Sequence, residues 1–418
     1  MSQFIIGGGK RLEGEIDIKA AKNSVLPIIA CSILSKEDIV IRNVPDILDI
    51  KNMLEIMKSL GAKVEFKHNS LCINCKHATP KLITPQLSSA LRSSIFMLGP
   101  ILSRYNYVEL GLPGGCAIGQ RPIDIHLDGL KKMDVHIQHF EDSIKCDGSN
   151  MQGCCIRLKF PSVGATENLM MAAVLTKGTT TLHNVAIEPE IIDLANFINT
   201  IGGRVLGAGT STIVIEGVTA VTGGTFQPSG DRIAAPTYLA AAAITQGDIV
   251  VKGILPTLIK PSIDIFEKMG CYVTHSMHEI RLKCKNTMQC IKKVETGPHP
   301  QFPTDMQAQM VALLSVANGS SSVVENIFES RYRYVLEMHK MGARIKVDNN
   351  TAHIEGIRML HGASVRAEDL RGGAALVLSA LGAQGVSTVR DVHHIDRGYE
   401  SMEKVLCTLG ADIKRVSV

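Results

Sequence analysis

One short pattern recurs six times along the sequence. It consists of an apolar residue, a glycine, a small residue, any residue and a second apolar residue. It begins at Leu60, Ile201, Met269, Met341 and Leu409, with a degenerate copy at Met133. Successive copies are 68 to 73 residues apart, so the 418 residues divide into six units of similar length. This count excludes a (β/α)8 barrel, which needs eight units.

Each unit has the same order of predicted elements. An Ala-rich helix that is apolar nearly all round is followed by a β-branched strand, a helix with one apolar stripe, and two short strands. In the first unit these elements lie at 23–34, 39–41, 50–60, 64–67 and 71–74. Gly61 follows the second helix, at the position where a C-terminal glycine ends a helix. The pattern therefore predicts an α/β protein of six βαβαββ units, each with one buried and one half-exposed helix.

Six such units exceed one domain of usual size and favour a division into three and three. Equivalent positions just before a buried helix, at 20–22 and 228–230, are the predicted crossing points. The predicted domains are 1–21 with 230–418, and 22–229. The N-terminal strand at 4–6 then belongs with the C-terminal half of the chain.

Composition excludes several classes of protein. The net charge of +4 is too small to indicate nucleic-acid binding, and no run of about 18 apolar residues predicts a membrane span. The eleven scattered cysteines are typical of a reducing compartment, and no signal peptide is visible, so we expect a cytoplasmic protein. Cys72 and Cys75 form a CxxC within a strand, where the two side chains point to opposite faces, so we expect no metal site.

A loop rich in glycine at 112–126 carries Cys116 near its centre and Arg121 five residues later. A nearby cation lowers the pKa of a thiol, so Cys116 could donate a proton or react as a thiolate near neutral pH. The alternative is an ordinary surface loop whose cysteine has no role.

Polar residues also recur where the predicted helices begin. Those at buried helices are Lys22, Asn23, Arg92, Ser162, Gly164, Thr166, Asp231, Arg232, Asp305, Asp369 and Arg371. Those at half-exposed helices are Arg121, Asp124, Glu188, Arg331 and Arg397. A helix N-terminus disfavours a cation unless an anion lies nearby, so this coincidence predicts an interdomain cleft that binds a small, multiply anionic substrate. The alternatives are solvated or ion-paired arginines, and aspartates that act only as N-caps.

Several of these segments together resemble the UDP-N-acetylglucosamine 1-carboxyvinyltransferase family. They are Lys22-Asn23, the Pro-Gly-Gly-Cys-Ala-Ile-Gly-Gln-Arg-Pro-Ile-Asp run in 113–124, Ser-Val-Gly-Ala-Thr at 162–166, Asp231-Arg232, Pro-Thr-Asp at 303–305, Asp-Leu-Arg at 369–371 and His-Ile-Asp-Arg-Gly-Tyr-Glu at 394–400. The resemblance runs nearly end to end. It implies a two-domain inverted α/β barrel like that of EPSP synthase, with six βαβαββ repeats, three per domain, and the active site in the interdomain cleft.

The resemblance implies an activity: transfer of the enolpyruvyl group of phosphoenolpyruvate to the 3′-hydroxyl of UDP-N-acetylglucosamine, with release of phosphate, as the first committed step of peptidoglycan synthesis. Asp305 would take the proton of the hydroxyl, and Cys116, on a loop expected to close as a lid, would donate a proton to carbon 3 of phosphoenolpyruvate. Asp369 would assist proton movement near Lys22. The implied catalytic set is Lys22, Cys116, Asp305, Asp369 and Arg397.

The same resemblance implies the substrate contacts. Phosphate would bind Lys22, Arg92, Arg121 and Arg397, and the carboxylate would bind Arg331 and Arg371. Asn23 would orient the hydroxyl. The sugar nucleotide would bind Arg121, Pro122, Ile123, Asp124, Ile125, Ser162, Val163, Gly164, Asp305 and Ile327.

No metal, cofactor, nucleic acid, membrane or obligate protein partner is implied. Two positions depart from the family pattern, because Phe160 replaces a lysine that helps to bind the diphosphate, and His393 replaces a tyrosine. Two other functions stay open: 3-phosphoshikimate carboxyvinyl transfer, against which the cysteine loop argues, and a catalytically silent paralogue that binds the sugar nucleotide. The silent paralogue predicts loss of key residues, and the implied catalytic set is complete.

Overall fold

A computed structural model describes residues 2–114 and 123–417. The described residues form two compact units. We call residues 2–19 with 230–417 the terminal unit, and 20–114 with 123–229 the central unit. Ala20 and Ala21 donate backbone hydrogen bonds to Asn43 and Ser229 of the central unit. The backbone therefore passes from the terminal unit to the central unit between Lys19 and Ala20.

The secondary structure follows the repeat closely. The strands are β1 Ser2–Gly7, β2 Glu13–Asp17, β3 Asp38–Ile41, β4 Lys63–Lys67, β5 Ser70–Asn74, β6 Tyr107–Gly111, β7 His136–His139, β8 Ser143–Asp147, β9 Cys155–Arg157, β10 Thr179–His183, β11 Val205–Leu206, β12 Thr212–Glu216, β13 Gly224–Phe226, β14 Asp248–Lys252, β15 Tyr272–His275, β16 Glu279–Lys283, β17 Lys293–Glu295, β18 Ser320–Val324, β19 Arg344–Asp348, β20 Thr351–Glu355, β21 Ser364–Arg366, β22 Val386–Arg390 and β23 Asp412–Ser417.

The helices alternate with these strands. They are α1 Lys22–Cys31, α2 Leu48–Ser59, α3 Pro85–Ser89, α4 Leu98–Tyr105, α5 Asp124–Lys132, α6 Val163–Ala173, α7 Pro189–Thr200, α8 Ala234–Ile244, α9 Lys260–Lys268, α10 Gln307–Leu314, α11 Val335–Lys340, α12 Leu370–Gly382 and α13 Met402–Thr408. Short 3₁₀ segments lie at Ser32–Leu34, Arg92–Met97, Pro256–Ile259, Thr304–Met306 and Val392–Arg397.

Each repeat contributes one small sheet. Three antiparallel strands form its body, and in five of the six described sheets a fourth strand lies parallel at one edge. The orders are β13-β3-β5-β4, β6-β8-β7 and β11-β12-β10-β9 in the central unit, and β15-β16-β14-β2, β17-β18-β20-β19 and β21-β22-β1-β23 in the terminal unit. In both units the first sheet obtains its parallel strand from a distant segment: β13 pairs with β3, and β2 pairs with β14.

The N-terminal strand completes the last sheet. β1 lies antiparallel between β22 and β23, with Ile5 opposite Thr388 on one side and Lys414 on the other. The start and the end of the chain therefore belong to the same unit.

Buried helices form the core of each unit. They are α1, α4 and α6 in the central unit, and α8, α10 and α12 in the terminal unit. Their apolar side chains form two separate aliphatic clusters, one in each unit. Helices inside and half-exposed sheets outside confirm the predicted inverted α/β class, although the strands form separate sheets and not one closed barrel.

The repeated glycine has a conformational reason. It follows the half-exposed helix and adopts a positive φ in each copy; φ is +96° at Gly61, +95° at Gly202, +92° at Gly270, +87° at Gly342 and +91° at Gly410. Only glycine takes this left-handed conformation without strain. In the degenerate copy the same place is taken by Asp134, with φ of +67°, and aspartate is one of the few other residues that tolerate it.

Within residues 2–114 and 123–417, no helix has the length and apolar character needed to cross a membrane.

Candidate active site

Asp305 lies at the centre of a polar cluster in the terminal unit. It belongs to the 3₁₀ segment before α10, and its side chain does not cap that helix. Instead Arg331 Nη2 donates to Asp305 Oδ1 at 2.7 Å, and Arg371 Nη2 donates to Asp305 Oδ2 at 2.9 Å. The side chain of Asp305 is 27% exposed, whereas those of Arg331 and Arg371 are 3% and 5% exposed. Two buried guanidinium groups thus hold one carboxylate at the surface of the unit.

Arg371 is fixed from a second direction. Its Nη1 donates to the hydroxyl of Tyr399 at 3.2 Å, and its guanidinium carbon lies 5.6 Å from the centre of that ring. Burial is the largest single influence and lowers the pKa of Arg371. The charge and hydrogen bond of Asp305, together with the electrostatic effects of Tyr399 and Asp231, outweigh it, so the pKa is raised above its ordinary value. Arg371 therefore keeps its charge inside the protein.

A small hydrogen-bond network supports the Tyr399 hydroxyl. Thr237 Oγ1 lies 3.0 Å from it, and Gln309 Nε2 donates to it at 3.3 Å. The same Nε2 also donates to Thr237 Oγ1 at 3.1 Å and to the backbone carbonyl of Asp305 at 3.0 Å. One buried amide therefore links α8, α10 and Tyr399 to the residue that both arginines bind.

Two other aspartates of the terminal unit act as N-caps. Asp369 Oδ1 accepts hydrogen bonds from the amides of Arg371 and Gly372, both at 2.9 Å. Asp231 Oδ1 accepts from the amides of Ile233 and Ala234 before α8. Asp231 and Asp369 thus accept N-cap hydrogen bonds, whereas the carboxylate of Asp305 is bound by two arginines.

In the central unit, Lys22 begins α1 and pairs with a buried carboxylate. Its Nζ lies 3.0 Å from Asp49 Oδ2, with the side chains 12% and 2% exposed. Asn23 is half-buried beside it. The next residue, Ser24, donates to Asp193 at 2.6 Å, and Asp193 also accepts from the hydroxyl and amide of Ser229. These bonds tie the start of α1 to α7 and to the end of the central unit.

His126, on α5, is a buried neutral imidazole. Burial and the positive charge of Arg92 lower its pKa to about 3. Asn168 Oδ1 accepts from the Gly99 amide, so its Nδ2 donates to His126 Nδ1 at 3.1 Å and leaves the proton on Nε2. A Cβ at Gly164 would lie 3.2 Å from His126 Cε1, a tight contact that would require the imidazole to shift by a few tenths of an ångström.

The start of α6 is capped by Ser162, whose Oγ accepts from the amide of Ala165 at 3.3 Å. Val163 and Gly164 form its half-buried first turn. Before it, Phe160 is 46% exposed, and Lys159 pairs with Asp128 at 2.8 Å. Lys159, the cation next to Phe160, is thus paired with a carboxylate of α5.

The remaining predicted residues lie on several elements. Ile123 and Ile125 are half-buried and Asp124 is exposed where α5 begins. Ile327 is half-buried after β18, and Arg397 ends the 3₁₀ segment Val392–Arg397. Cys116, Arg121 and Pro122 lie outside the described residues.

The structure brings several of the predicted residues of the terminal unit together. Asp305, Arg331 and Arg371 are in direct contact, and Asp369 caps the helix that carries Arg371. The predicted interdomain cleft stays a prediction.

Sequence reasoning missed the partners that hold the predicted residues. Tyr399 lies in the His-Ile-Asp-Arg-Gly-Tyr-Glu motif at 394–400, which predicts no role for its hydroxyl. His126 is not among the predicted site residues. No sequence signal distinguished Gln309, Asn168 or Asp49 from other residues of buried or amphipathic helices.

Comparison with known proteins agrees with this architecture. The EPSP synthase (3-phosphoshikimate 1-carboxyvinyltransferase) family profile matches residues 6–406. The chain therefore belongs to the EPSP synthase family of transferases. Among solved structures it is similar to the enolpyruvyl transferase NikO from Streptomyces tendae, with a TM-score of 0.89, 23% identity, and coverage of 100% of this chain and 99% of that one. EPSP synthase from Acinetobacter baumannii matches with a TM-score of 0.78 and 17% identity over 100% of both chains.

Two curated sequences have a higher sequence identity to this chain than these solved structures do. The chain is 45% identical over 416 residues to UDP-N-acetylglucosamine 1-carboxyvinyltransferase 2 of Caldanaerobacter subterraneus subsp. tengcongensis, covering 100% of both. It is 44% identical over 418 residues to UDP-N-acetylglucosamine 1-carboxyvinyltransferase 1 of Clostridium acetobutylicum, again covering 100% of both. Within the EPSP synthase family, the chain belongs with the UDP-N-acetylglucosamine 1-carboxyvinyltransferases. The predicted family and transferase class are confirmed.

Proposed function

We propose that this protein transfers the enolpyruvyl group of phosphoenolpyruvate to the 3′-hydroxyl of UDP-N-acetylglucosamine. The sugar oxygen adds to carbon 2 while carbon 3 gains a proton, which gives a tetrahedral ketal. Loss of phosphate from carbon 2 and of a proton from carbon 3 then restores the double bond. The products are the enolpyruvyl ether and inorganic phosphate. The sequence identity of 44–45% over the full length to relatives named for this activity supports the proposal.

One observation carries the proposal at the level of chemistry. Arg331 and Arg371 hold the carboxylate of Asp305 between them, at 2.7 and 2.9 Å. Planar guanidinium groups suit a carboxylate because several N–H groups converge on its two oxygens. The buried Nε of Arg331 has no acceptor among the described residues, so a further donor is present. This is the chemistry that recognition of the phosphoenolpyruvate carboxylate requires.

The same contacts suggest how the base becomes active. While both arginines bind Asp305, its oxygens are engaged. A substrate carboxylate that takes over those donors releases Asp305 to accept the proton of the sugar hydroxyl. Binding of phosphoenolpyruvate and activation of the Asp305 base would then occur together.

The other assignments complete the proposed mechanism. Lys22, Arg92, Arg121 and Arg397 bind the phosphate, and Cys116 protonates carbon 3. Asn23 orients the hydroxyl, and Asp369 assists proton movement near Lys22. The sugar nucleotide binds where α5 and α6 begin and at Ile327. In this scheme 1–21 with 230–418 form the catalytic domain, and 22–229 carry the Cys116 loop.

The product would serve as the first committed intermediate of peptidoglycan synthesis, made in the cytoplasm. This placement follows from the proposed reaction, whose acceptor is a sugar nucleotide.

The test is phosphate release from phosphoenolpyruvate with UDP-N-acetylglucosamine, with shikimate 3-phosphate, or with no acceptor, for wild-type protein and Asp305→Ala. We expect release that requires the sugar nucleotide and that is lost in the variant. Release with shikimate 3-phosphate alone would assign the other transfer reaction. No release from folded wild-type protein would favour a silent sugar-nucleotide-binding paralogue.

A further inference from the structure

Glu325 is a buried carboxylate that the proposed mechanism does not use. It follows β18, is 2% exposed, and receives three hydrogen bonds from two different parts of the terminal unit. We propose that Glu325 is a positioning residue, which sets the geometry of the Asp305 base and of segment 326–331 together. This inference rests on the proposed function of Asp305.

The first contact of Glu325 leads to Asp305. Thr304 Oγ1 donates to Glu325 Oε2 at 2.9 Å, and Thr304 is the neighbour of Asp305 in the short 3₁₀ segment. The backbone carbonyl of Thr304 accepts from Arg331 Nη2 at 3.2 Å, and the same nitrogen donates to Asp305. Fixing Thr304 therefore fixes the place where Asp305 meets Arg331.

The second contact leads to the segment that carries Arg331. Glu325 Oε1 accepts from the amides of Ile327 at 2.8 Å and Phe328 at 3.1 Å. The ring of Phe328 lies under Arg331, with 5.4 Å from its centre to the guanidinium carbon. The carboxylate of Glu325 thus fixes the turn that contains Ile327, a residue implied to bind substrate. The same turn places the Phe328 ring against the guanidinium group of Arg331.

Together the contacts form a closed circuit. It runs from Glu325 through Thr304 to Arg331, and returns along the chain through Phe328 and Ile327. Asn326 ties the same turn to a second strand end, since its amide donates to Thr296 Oγ1 and its Nδ2 to the Thr296 carbonyl, both at 3.0 Å. The residue at this position must accept from two backbone amides with one atom and bond the Thr304 hydroxyl with the other. Glutamate does this with two acceptor oxygens. Glutamine can do it with one oxygen and an NH2 group that donates to the hydroxyl, whereas an apolar residue can form none of these bonds.

Three variants separate the two contacts. Glu325→Gln keeps an oxygen for the two amides and presents an amide group that can donate to the Thr304 hydroxyl. Glu325→Ala removes both contacts and leaves two backbone amides without their acceptor. Thr304→Val removes only the contact to the Asp305 side. Glu337→Ala is the matched control. Glu337 is a largely buried carboxylate of the same unit that accepts from the Arg366 amide at 2.9 Å, and within the described residues it forms no hydrogen bond with residues 304–331.

The measurements are kcat and KM for each substrate, the urea midpoint, and hydrogen exchange of the 327 and 328 amides. We expect Glu325→Ala to lower kcat by about 100-fold, the loss typical of misplacing reacting groups by about 1 Å, and to accelerate exchange at both amides. Thr304→Val should lower kcat without changing that exchange. Glu325→Gln should restore both properties to within a few-fold of wild type, and Glu337→Ala should change only the urea midpoint.

The outcomes distinguish the two claims. Transfer by the wild type, together with kcat of Glu325→Ala equal to that of the control, would overturn the positioning role and leave the proposed function intact. An effect on stability alone, not rescued by glutamine, would also overturn it. Absence of transfer in the wild type would reject the proposed function and this inference with it.

Discussion

The site stabilises buried charges through ion pairs between Asp305 and two arginines. Removing a guanidinium group from water is costly, and the cost is recovered only when a partner and further hydrogen bonds satisfy it. Arg371 has both, in Asp305 and in the Tyr399 hydroxyl. Tyr399 and Asp305 therefore fix the position of Arg371, for which we propose binding of the substrate carboxylate.

Replacing Tyr399 with phenylalanine tests that statement. The change removes the hydroxyl that accepts from Arg371 and Gln309, and hydrogen bonds to charged groups contribute about 1.5–3 kcal/mol. We expect KM for phosphoenolpyruvate to rise about tenfold, since 1.4 kcal/mol of lost binding corresponds to that factor. Steady-state kinetics with saturating sugar nucleotide measures it.

Tyr334→Phe is the control for this prediction. Tyr334 is also buried, and its hydroxyl donates to Gln307 Oε1 at 3.1 Å. In the described part of the chain this hydroxyl forms no hydrogen bond with Arg371. Both variants should lose stability, but only Tyr399→Phe should change KM. Equal KM values in the two variants would show that the Tyr399 hydroxyl does not hold Arg371 in its binding position.

At the scale of elements, the N-terminus of α12 combines a structural and a proposed chemical role in Asp369. Asparagine caps a helix about as well as aspartate, but it cannot move a proton as a carboxylate does. Asp369→Asn should therefore keep the urea midpoint of the wild type and lose at least tenfold in kcat. Asp369→Ala should lose the same activity and in addition about 1 kcal/mol of stability. Full activity of Asp369→Asn would leave Asp369 as a cap only.

Helix α6 carries a carboxyl group whose position makes stability depend on pH. Glu167 is 1% exposed, and neither of its oxygens has a hydrogen-bond partner among the described residues. Burial, and then the negative charges of Glu190 and Glu188, raise its pKa well above the ordinary value. The folded protein therefore holds this group protonated, so its favourable contribution is present at low pH and is lost as pH rises above the ordinary pKa of glutamate.

Glu167→Gln tests this pH dependence, because glutamine has the same shape and stays neutral. We compare the free energy of unfolding of the variant with that of the wild type at pH 4 and at pH 8. The difference should favour the variant by at least about 1.4 kcal/mol more at pH 8 than at pH 4, because a pKa shift of one unit corresponds to that energy. Urea unfolding at the two pH values measures the difference. Glu141→Gln, at an exposed position of the same unit, should show no such change. A constant difference between wild type and Glu167→Gln would contradict the buried, protonated state.

At the scale of the whole molecule, the first sheet of each unit is completed by a strand from a distant part of the sequence. β13 completes the first sheet of the central unit beside β3, and the ring of Phe226 lies 5.8 Å from that of Phe197. The central unit also has its own apolar cluster. We therefore propose that it folds alone.

A fragment of residues 20–229 should unfold cooperatively in urea, with helical circular dichroism that disappears in a single transition. A fragment of residues 20–222 lacks β13 and should be much less stable, because β3 then has an unpaired edge and Phe197 loses its partner. Similar midpoints for the two fragments would show that β13 does not close the unit.

The sequence by itself determined the features that depend on local geometry. The positive φ at the repeat glycine, the apolar stripe of α2 and the all-apolar helices such as α8 depend on constraints within about ten residues, so six α/β units could be predicted. The family resemblance came from short motifs that are read directly from the sequence. The tertiary structure alone decided which polar groups meet. Asp305 and Arg371 are 66 residues apart, and Thr237 and Tyr399 are 162 apart. Whether Asp305 caps a helix or binds two arginines, and whether Glu325 reaches Thr304, depends on how separate helices and strands pack together, which no local pattern records.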